Sequence, residues 1–371
     1  MPRPTAIAVM FGYSDANDVR RLVQEARLAA TEDLLGRVAA CGWDRVIFCS
    51  NRPDALEAPP SLVLERISST SDPFHFGREI QSLVQRCGLE DHGVLYVGGG
   101  LPLLTAATME LMRGYLAEGN NVAITNNIHS CDFIGWSPGA AVGRIVPPDT
   151  DNDLAWQLRR AGVEVTELPR SAETTFDVDT PTDLALLSLA PTVGPRMAAL
   201  LARAPIERVP LQGLMAVLRS FDDTVLCYGR ISHHSWAYFA QRAACQTRII
   251  SEERGMRASG RLARGEVRSL LGFLADQSGF PATFRMLSQL AGGLILDTRV
   301  LMAHCRQWPS TEDRFNADLG RVEEVRDAWL RDMTQAALDC GVPVVMGGHC
   351  LVSGGLYLLG DAVGPKEIPL A

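Results

Sequence analysis

The sequence predicts an α/β protein of two domains, the first built on a mostly parallel sheet and the second a smaller α/β domain. Three observations predict it. The chain has 371 residues of which 47% are hydrophobic, enough for two cores at roughly 100 to 200 residues per domain. Apolar runs of strand length alternate with helical segments in both halves. Between the halves, Ala190-Pro191-Thr192-Val193-Gly194-Pro195 breaks any regular element. The expected organisation is therefore a first domain over 1–190, a helical connector over 191–220 and a second domain over 221–371.

In the first half the strand candidates are Ala6 to Phe11, Arg45 to Cys49, Val94 to Val97 and Val122 to Thr125. Helical patterns at Glu32 to Cys41, Phe76 to Cys87 and Ala106 to Ala117 lie between them. Gly42 suits the stop of the helix before it, and Asp44 opens the turn into the next strand. In the second half the candidates are Thr224 to Tyr228, Thr247 to Ile250, Gly293 to Leu296 and Val342 to Met346.

The stretch Phe176-Asp177-Val178-Asp179-Thr180-Pro181-Thr182-Asp183-Leu184 reads as a short strand turning into a helix. Thr180 is a natural N-cap, Pro181 fits the first helical position and Asp183 favours the positive helix end. Period two puts Asp177 and Asp179 on one face, where paired carboxylates can hold a hard cation such as magnesium or can simply cap and solubilise the turn.

Composition excludes several functions. A net charge of -8 argues against a general nucleic-acid or membrane-surface binder, since both rest on excess basic charge. Of 35 basic residues only Lys366 is a lysine, in the C-terminal tail, which removes Schiff-base chemistry and a P-loop lysine. Nine cysteines without a Cys-x-x-Cys pair form neither a disulfide framework nor a structural zinc signature. No apolar run approaches the roughly 20 residues of a membrane span, so a reducing cytoplasm is the expected setting.

Three stretches of the first 190 residues carry a family resemblance: Leu34 to Asn51, Val94 to Thr105 (VLYVGGGLPLLT) and Phe176 to Leu187. Together they resemble the nucleotidyltransferases related to molybdopterin and phospholactate guanylyltransferases. The resemblance implies a GT-A-like, Rossmann-like fold that transfers a nucleotidyl group from a nucleoside triphosphate to a phosphorylated small molecule. It implies magnesium, with Asp177 and Asp179 as catalytic metal ligands. It also implies a nucleotide held by the loop after the first strand (Gly12, Ser14) and by the central loop (Gly98, Gly99, Gly100), while Asn126, opening a polar segment after a strand, can read a base or acceptor or simply bond within its own loop. Two departures stand out. The first loop, Gly12 to Asn17, has one glycine and no lysine, and Gly100 occupies the place of the family's metal-binding aspartate. A nucleotide or metabolite binding module without catalysis is the competing expectation.

The second half offers a separate constellation. Arg230, His233 and His234 follow one apolar run, Glu252 and Arg254 another, Asp297 and Arg299 a third, and His349 a fourth, within Gly347-Gly348-His349-Cys350-Leu351-Val352-Ser353-Gly354-Gly355. Ligands of open α/β sheets bind at carboxyl strand ends. If the strands are parallel these groups converge on a site for a small phosphorylated or carboxylated metabolite, with His233, His349 and Asp297 as candidates for acid-base or metal chemistry.

Overall fold

The computed structural model describes residues 2–14, 17–70 and 74–364. Lys366 and part of the first loop, Asp15 and Ala16, lie outside the described residues. The chain forms two compact units, one built on Gln24–Thr175 with the N-terminal strand, the other on Phe176–Val193 and the chain after residue 198. Residues 176–190, expected within the first domain, thus group with the second.

The first unit carries seven strands: β1 (Thr5–Phe11), β2 (Arg45–Ser50), β3 (Glu65–Ser68), β4 (Gly93–Gly98), β5 (Val122–Thr125), β6 (Phe133–Ser137) and β7 (Glu164–Glu167). Their order is β3-β2-β1-β4-β6-β5-β7, and β6 alone runs antiparallel to its neighbours. The expected α/β class and mostly parallel sheet are therefore present. β1 and β4, at the centre, are almost entirely buried, as strands covered on both faces must be.

Three strands had no counterpart in the sequence reading. β3 and β7 are edge strands of four residues with little burial, so no apolar run marks them. β6 is fully buried but contains Gly135, where a Cβ would come within 2.6 Å of Leu116 Cδ1. The glycine lets the helix Ala106–Glu118 lie close on the sheet and breaks the strand signal.

The second unit has four parallel strands, β8 (Thr224–Gly229), β9 (Gln246–Ser251), β10 (Gly293–Asp297) and β11 (Val344–Gly347), ordered β11-β10-β8-β9. The chain moves from β8 outward to β9, then returns to the other side of β8 for β10 and β11. This reversal is a topological switch point, where open parallel sheets bind ligands. Between β9 and β10 lies the helix Leu270–Leu290, kinked where Gly279 adopts φ +73° ahead of Pro281.

Phe176–Asp179 pairs with no strand, contrary to the strand expected there. Its alternation is real nonetheless: Phe176, Val178 and Thr180 are buried, Asp177 is half-buried and Asp179 exposed. The helix Pro181–Leu187 then starts at Thr180 with Pro181 in its first turn and every residue buried. No helix among the described residues is long and apolar enough to cross a membrane.

Gly229 ends β8 at φ +125°, and a Cβ there would lie 2.4 Å from the Asp297 Cβ. Gly229→Ala is expected to destabilise the second unit by about 2 to 3 kcal/mol, since both backbone strain and overpacking apply. Urea denaturation checks this through a lowered midpoint at unchanged slope.

Candidate functional sites at two switch points

In the first unit the strand order reverses between β1 and β4, which face each other in register from Thr5 opposite Gly93 to Met10 opposite Gly98. The loops leaving their carboxyl ends hold five of the six nucleotide candidates. Gly12 faces open space, with nothing within 4 Å of where a Cβ would project. The next two residues are pinned: Tyr13 N donates to Asn51 Oδ1 at 2.8 Å, and Ser14 N and Oγ donate to Gln24 Oε1 at 2.8 and 3.1 Å.

The three central glycines differ in role. A Cβ on Gly99 would meet Phe11 Cδ2 at 2.5 Å and Thr31 Oγ1 at 2.9 Å, so this glycine serves packing. Gly100 has φ +129°, a conformation other residues rarely adopt. Gly98 has more room, its nearest neighbours being the Asp132 carbonyl and the Tyr96 hydroxyl at 3.3 Å. Asn126 is buried at the end of β5 and bonded to Asp132 through both amide atoms. Its side chain is thereby committed to holding its own loop.

Two groups near this crevice were not singled out in the sequence. Arg27 donates from Nε to the Gly99 carbonyl at 2.9 Å and lies 5.9 Å from the Phe11 ring centroid. Its two terminal nitrogens hydrogen-bond no described residue. Tyr96 donates its hydroxyl to Asp151 Oδ2 at 2.9 Å, and burial followed by the Asp151 charge pushes its pKa well up. Arg27 sits in mid-helix, where an arginine is ordinarily a surface residue, so no local pattern marks it.

The second unit brings together most of its candidates at the β8/β10 switch point. Asp297, fully buried at the end of β10, takes Arg230 Nε at 2.6 Å and Nη2 at 3.0 Å, with the Arg230 and Arg299 backbone N–H groups each at 3.3 Å. Burial alone would raise its pKa, but the charge and hydrogen bonds of Arg230, with His349 and Arg299 adding to them, hold the carboxyl below its ordinary value. Arg299 is paired instead with Asp318 through two 2.6 Å bonds. Glu252 accepts from Leu270 N at 2.8 Å. His233 and His234 are exposed, their rings 3.8 Å apart at the start of the helix His233–Arg242.

His349 opens the short turn after β11, a turn that packs on both β8 and β10. Burial, then the nearby Arg230 cation, pushes its pKa down to about 4 against the opposing pull of Asp297 and Asp179. Its ring is therefore neutral at neutral pH. Cys350 is buried behind it with its thiol pushed well up, chiefly by burial. His304 is fixed internally by Ser269 N at 2.9 Å and by Asp276 at 3.1 Å. A thiol so buried, beside a neutral ring, is not set up as a nucleophile at Cys350.

Three glycines of the Gly347 to Gly355 run face the segment 180–187. A Cβ on Gly347 would meet Thr182 at 3.4 Å, on Gly348 Thr180 at 3.1 Å, and on Gly355 Leu186 at 2.9 Å. They let the Pro181–Leu187 helix dock on β11, where Thr182 Oγ1 donates to the Met346 carbonyl at 2.6 Å. Asp177 and Asp179 thus belong to this unit's carboxyl end. Among the described residues no group of three or more His, Cys, Asp or Glu side chains is placed to hold a metal ion.

Asp183, read in the sequence only as a favourable charge at the helix start, is a fully buried carboxyl. Its Oδ2 accepts from Asp179 N, Thr180 N and Thr180 Oγ1 at 3.0, 2.6 and 2.9 Å, while Oδ1 is buried without a partner. Burial, then repulsion from Asp179, raises its pKa to about 7 despite those three donors.

No family model matches the chain, and no curated protein matches it. Among solved structures, a nucleotide-diphospho-sugar transferase candidate from Desulfovibrio desulfuricans G20 is 16% identical, covering 55% of this chain and 99% of its own, with a TM-score of 0.41. A nucleotidyl transferase from Methanothermobacter thermautotroptrophicus is 14% identical over 46% of this chain and 90% of its own, at 0.34. A CMP:2-keto-3-deoxy-manno-octonic acid synthetase in complex with CTP is 13% identical over 48% and 95%, at 0.33. At these values they are distant likenesses of an α/β fold and say nothing of activity.

Asp183 and His349 titrate in opposite senses on unfolding. Asp183 is raised from 3.8 to about 7, so the folded state holds the extra proton and stability falls as pH rises through that window. His349 is lowered from 6.5 to about 4, so the unfolded state holds the extra proton and stability rises over that window. Asp183→Asn, which keeps the cap but removes the titration, is expected to gain on wild type by roughly 2 to 4 kcal/mol between pH 4 and 7. Denaturant titrations of both proteins across that range check the slope.

Proposed function

We propose that the first unit binds a nucleoside triphosphate at the carboxyl ends of β1 and β4 and transfers its nucleotidyl group to a phosphorylated small molecule. The observation that carries this reading is Arg27, fixed on the Gly99 carbonyl at the switch point with its terminal nitrogens turned to no described residue. A guanidinium so placed suits an incoming phosphate, which it can grip with two parallel hydrogen bonds. Its charge would serve in place of the lysine that the resembling nucleotidyltransferases carry in their first loop and this chain lacks.

The reaction would run by attack of an acceptor phosphate oxygen on the α-phosphorus. One P–O bond forms, the bond to the β-phosphate bridge breaks, and pyrophosphate leaves with the electron pair. The chain's part is positioning and charge neutralisation. Gly12 leaves space for the nucleotide at the β1 end, and Arg27 offsets charge on the triphosphate. The resemblance implies magnesium, for which Asp177 and Asp179 are the candidate ligands; among the described residues no group of three or more His, Cys, Asp or Glu side chains is placed to hold a metal ion.

Pyrophosphate release is assayed with each nucleoside triphosphate and a pool of phosphorylated metabolites, alongside calorimetric binding. Arg27→Ala is expected to weaken triphosphate binding by about 10- to 100-fold, the worth of one charged hydrogen-bonded contact. Tight binding without turnover would leave a binding module in place of a transferase. Absence of any nucleotide binding by the wild-type protein would remove the proposal altogether.

A further inference from the structure

Most polar groups at the β8/β10 switch point are satisfied within the chain. Asp297 is saturated by Arg230 and two backbone N–H groups, and Arg299 is closed on Asp318 and Thr298. Two groups stand apart. Arg230 uses Nε and Nη2 on Asp297, leaving Nη1 without a hydrogen-bond partner among the described residues, and its side chain keeps 13% of its surface exposed. His349 is partly exposed, and neither ring nitrogen hydrogen-bonds a described residue.

These two groups are neighbours. The turn that His349 opens touches β8 and β10, at whose ends Arg230 and its partner Asp297 sit, and the Arg230 charge adds to burial in disfavouring the charged imidazole. Arg254, on the loop after β9, acts on the same ring and adds a further positive charge. A cation with free N–H groups beside a neutral imidazole is a complementary pair: one side takes an oxyanion, the other accepts a hydrogen bond from a hydroxyl.

The geometry points to a second ligand site at the carboxyl ends of β8 and β10, for a small molecule carrying a carboxylate or phosphate beside a hydroxyl, held by Arg230 Nη1 and His349. The anion faces Arg230, with Arg254 reinforcing it. Asp297 orients Arg230 without competing for Nη1. The site is built wholly within the second unit and does not depend on nucleotide binding by the first.

The test uses the full chain with ring-labelled histidine, titrated separately with inorganic phosphate and with glycolate, which pairs a carboxylate and a hydroxyl. The His349 ring signals are expected to shift saturably, with Kd on the order of 1 mM, and the pKa of the ring to move up from about 4 as the anion offsets Arg230. Saturation by glycolate alone assigns the carboxylate class, and by phosphate alone the phosphate class. His349→Ala should weaken calorimetric binding of the effective probe by about ten-fold at an unchanged thermal melt. Arg230→Lys, which keeps the charge but loses Nη1, should weaken it similarly. Should Arg230→Lys fail to fold, the partly exposed His349 position keeps the test decisive. Arg27→Ala should leave the His349 shifts unchanged. Ring signals that stay fixed with both probes, or binding that survives His349→Ala undiminished, would overturn the assignment.

Discussion

The second unit hangs on the Asp297 carboxylate. A fully buried charge is tolerated only when paired and hydrogen-bonded, and removing a partner from such a pair typically costs about 3 to 5 kcal/mol. Asp297 meets that condition with four donors from two segments, Arg230 after β8 and Arg299 after β10. Those bonds tie together the strand ends across the switch point. They also require the end of β8 to approach so closely that only glycine fits at 229. The same pairing aims the Arg230 guanidinium and leaves Nη1 uncommitted, so the constraint that stabilises the strand ends also positions the group proposed to receive a ligand.

The two sheets reach a similar arrangement by different chemistry. At β1/β4 a helical arginine reaches over to a backbone carbonyl and keeps its terminal nitrogens outward. At β8/β10 a loop arginine pairs with a buried carboxylate and keeps one nitrogen outward. In both cases a partial internal bond fixes a cation at the carboxyl ends of parallel strands while leaving donors for an anion. That is preorganisation: the rotamer freedom is lost on folding and does not have to be lost again on binding.

The sequence made the sheets legible where strands are buried on both faces. β1, β2, β4, β5, β8, β10 and β11 are short apolar runs with clear punctuation, and each lies within a few residues of its expected place. β3 and β7 were not legible because edge strands need no apolar face, nor was β6, because Gly135 interrupts it for the sake of a helix. The site was half legible. Residue type and position after a strand located Arg230, Asp297 and His349, since parallel topology alone brings them together. Partner choice was beyond reach: nothing in the order of residues says that Arg299 closes on Asp318, or that Arg27 bonds Gly99, because those contacts depend on loop paths between distant segments.

The element at Phe176 to Leu187 shows how one pattern can serve two physical ends. Its Asp-x-Asp spacing suits metal binding, yet the hydrogen bonds of Thr180, Thr182 and Asp183 are structural. Thr180 begins the helix, Asp183 gathers three donors at the turn, and Thr182 bonds the β11 carbonyl. Its buried side packs closely against Gly348 and Gly355 of the facing run, where a Cβ would meet Thr180 at 3.1 Å and Leu186 at 2.9 Å. Burial then leaves Asp183 with one unpartnered oxygen and a proton affinity near neutrality. A carboxyl in that state is poorly suited to a hard cation, which wants ionised oxygen donors. Asp177 and Asp179, on the less buried side of the same segment, remain the only carboxylates of the motif with access to solvent. The motif is therefore first a docking device for the second unit, and any chemistry it performs must come from the face that docking leaves open.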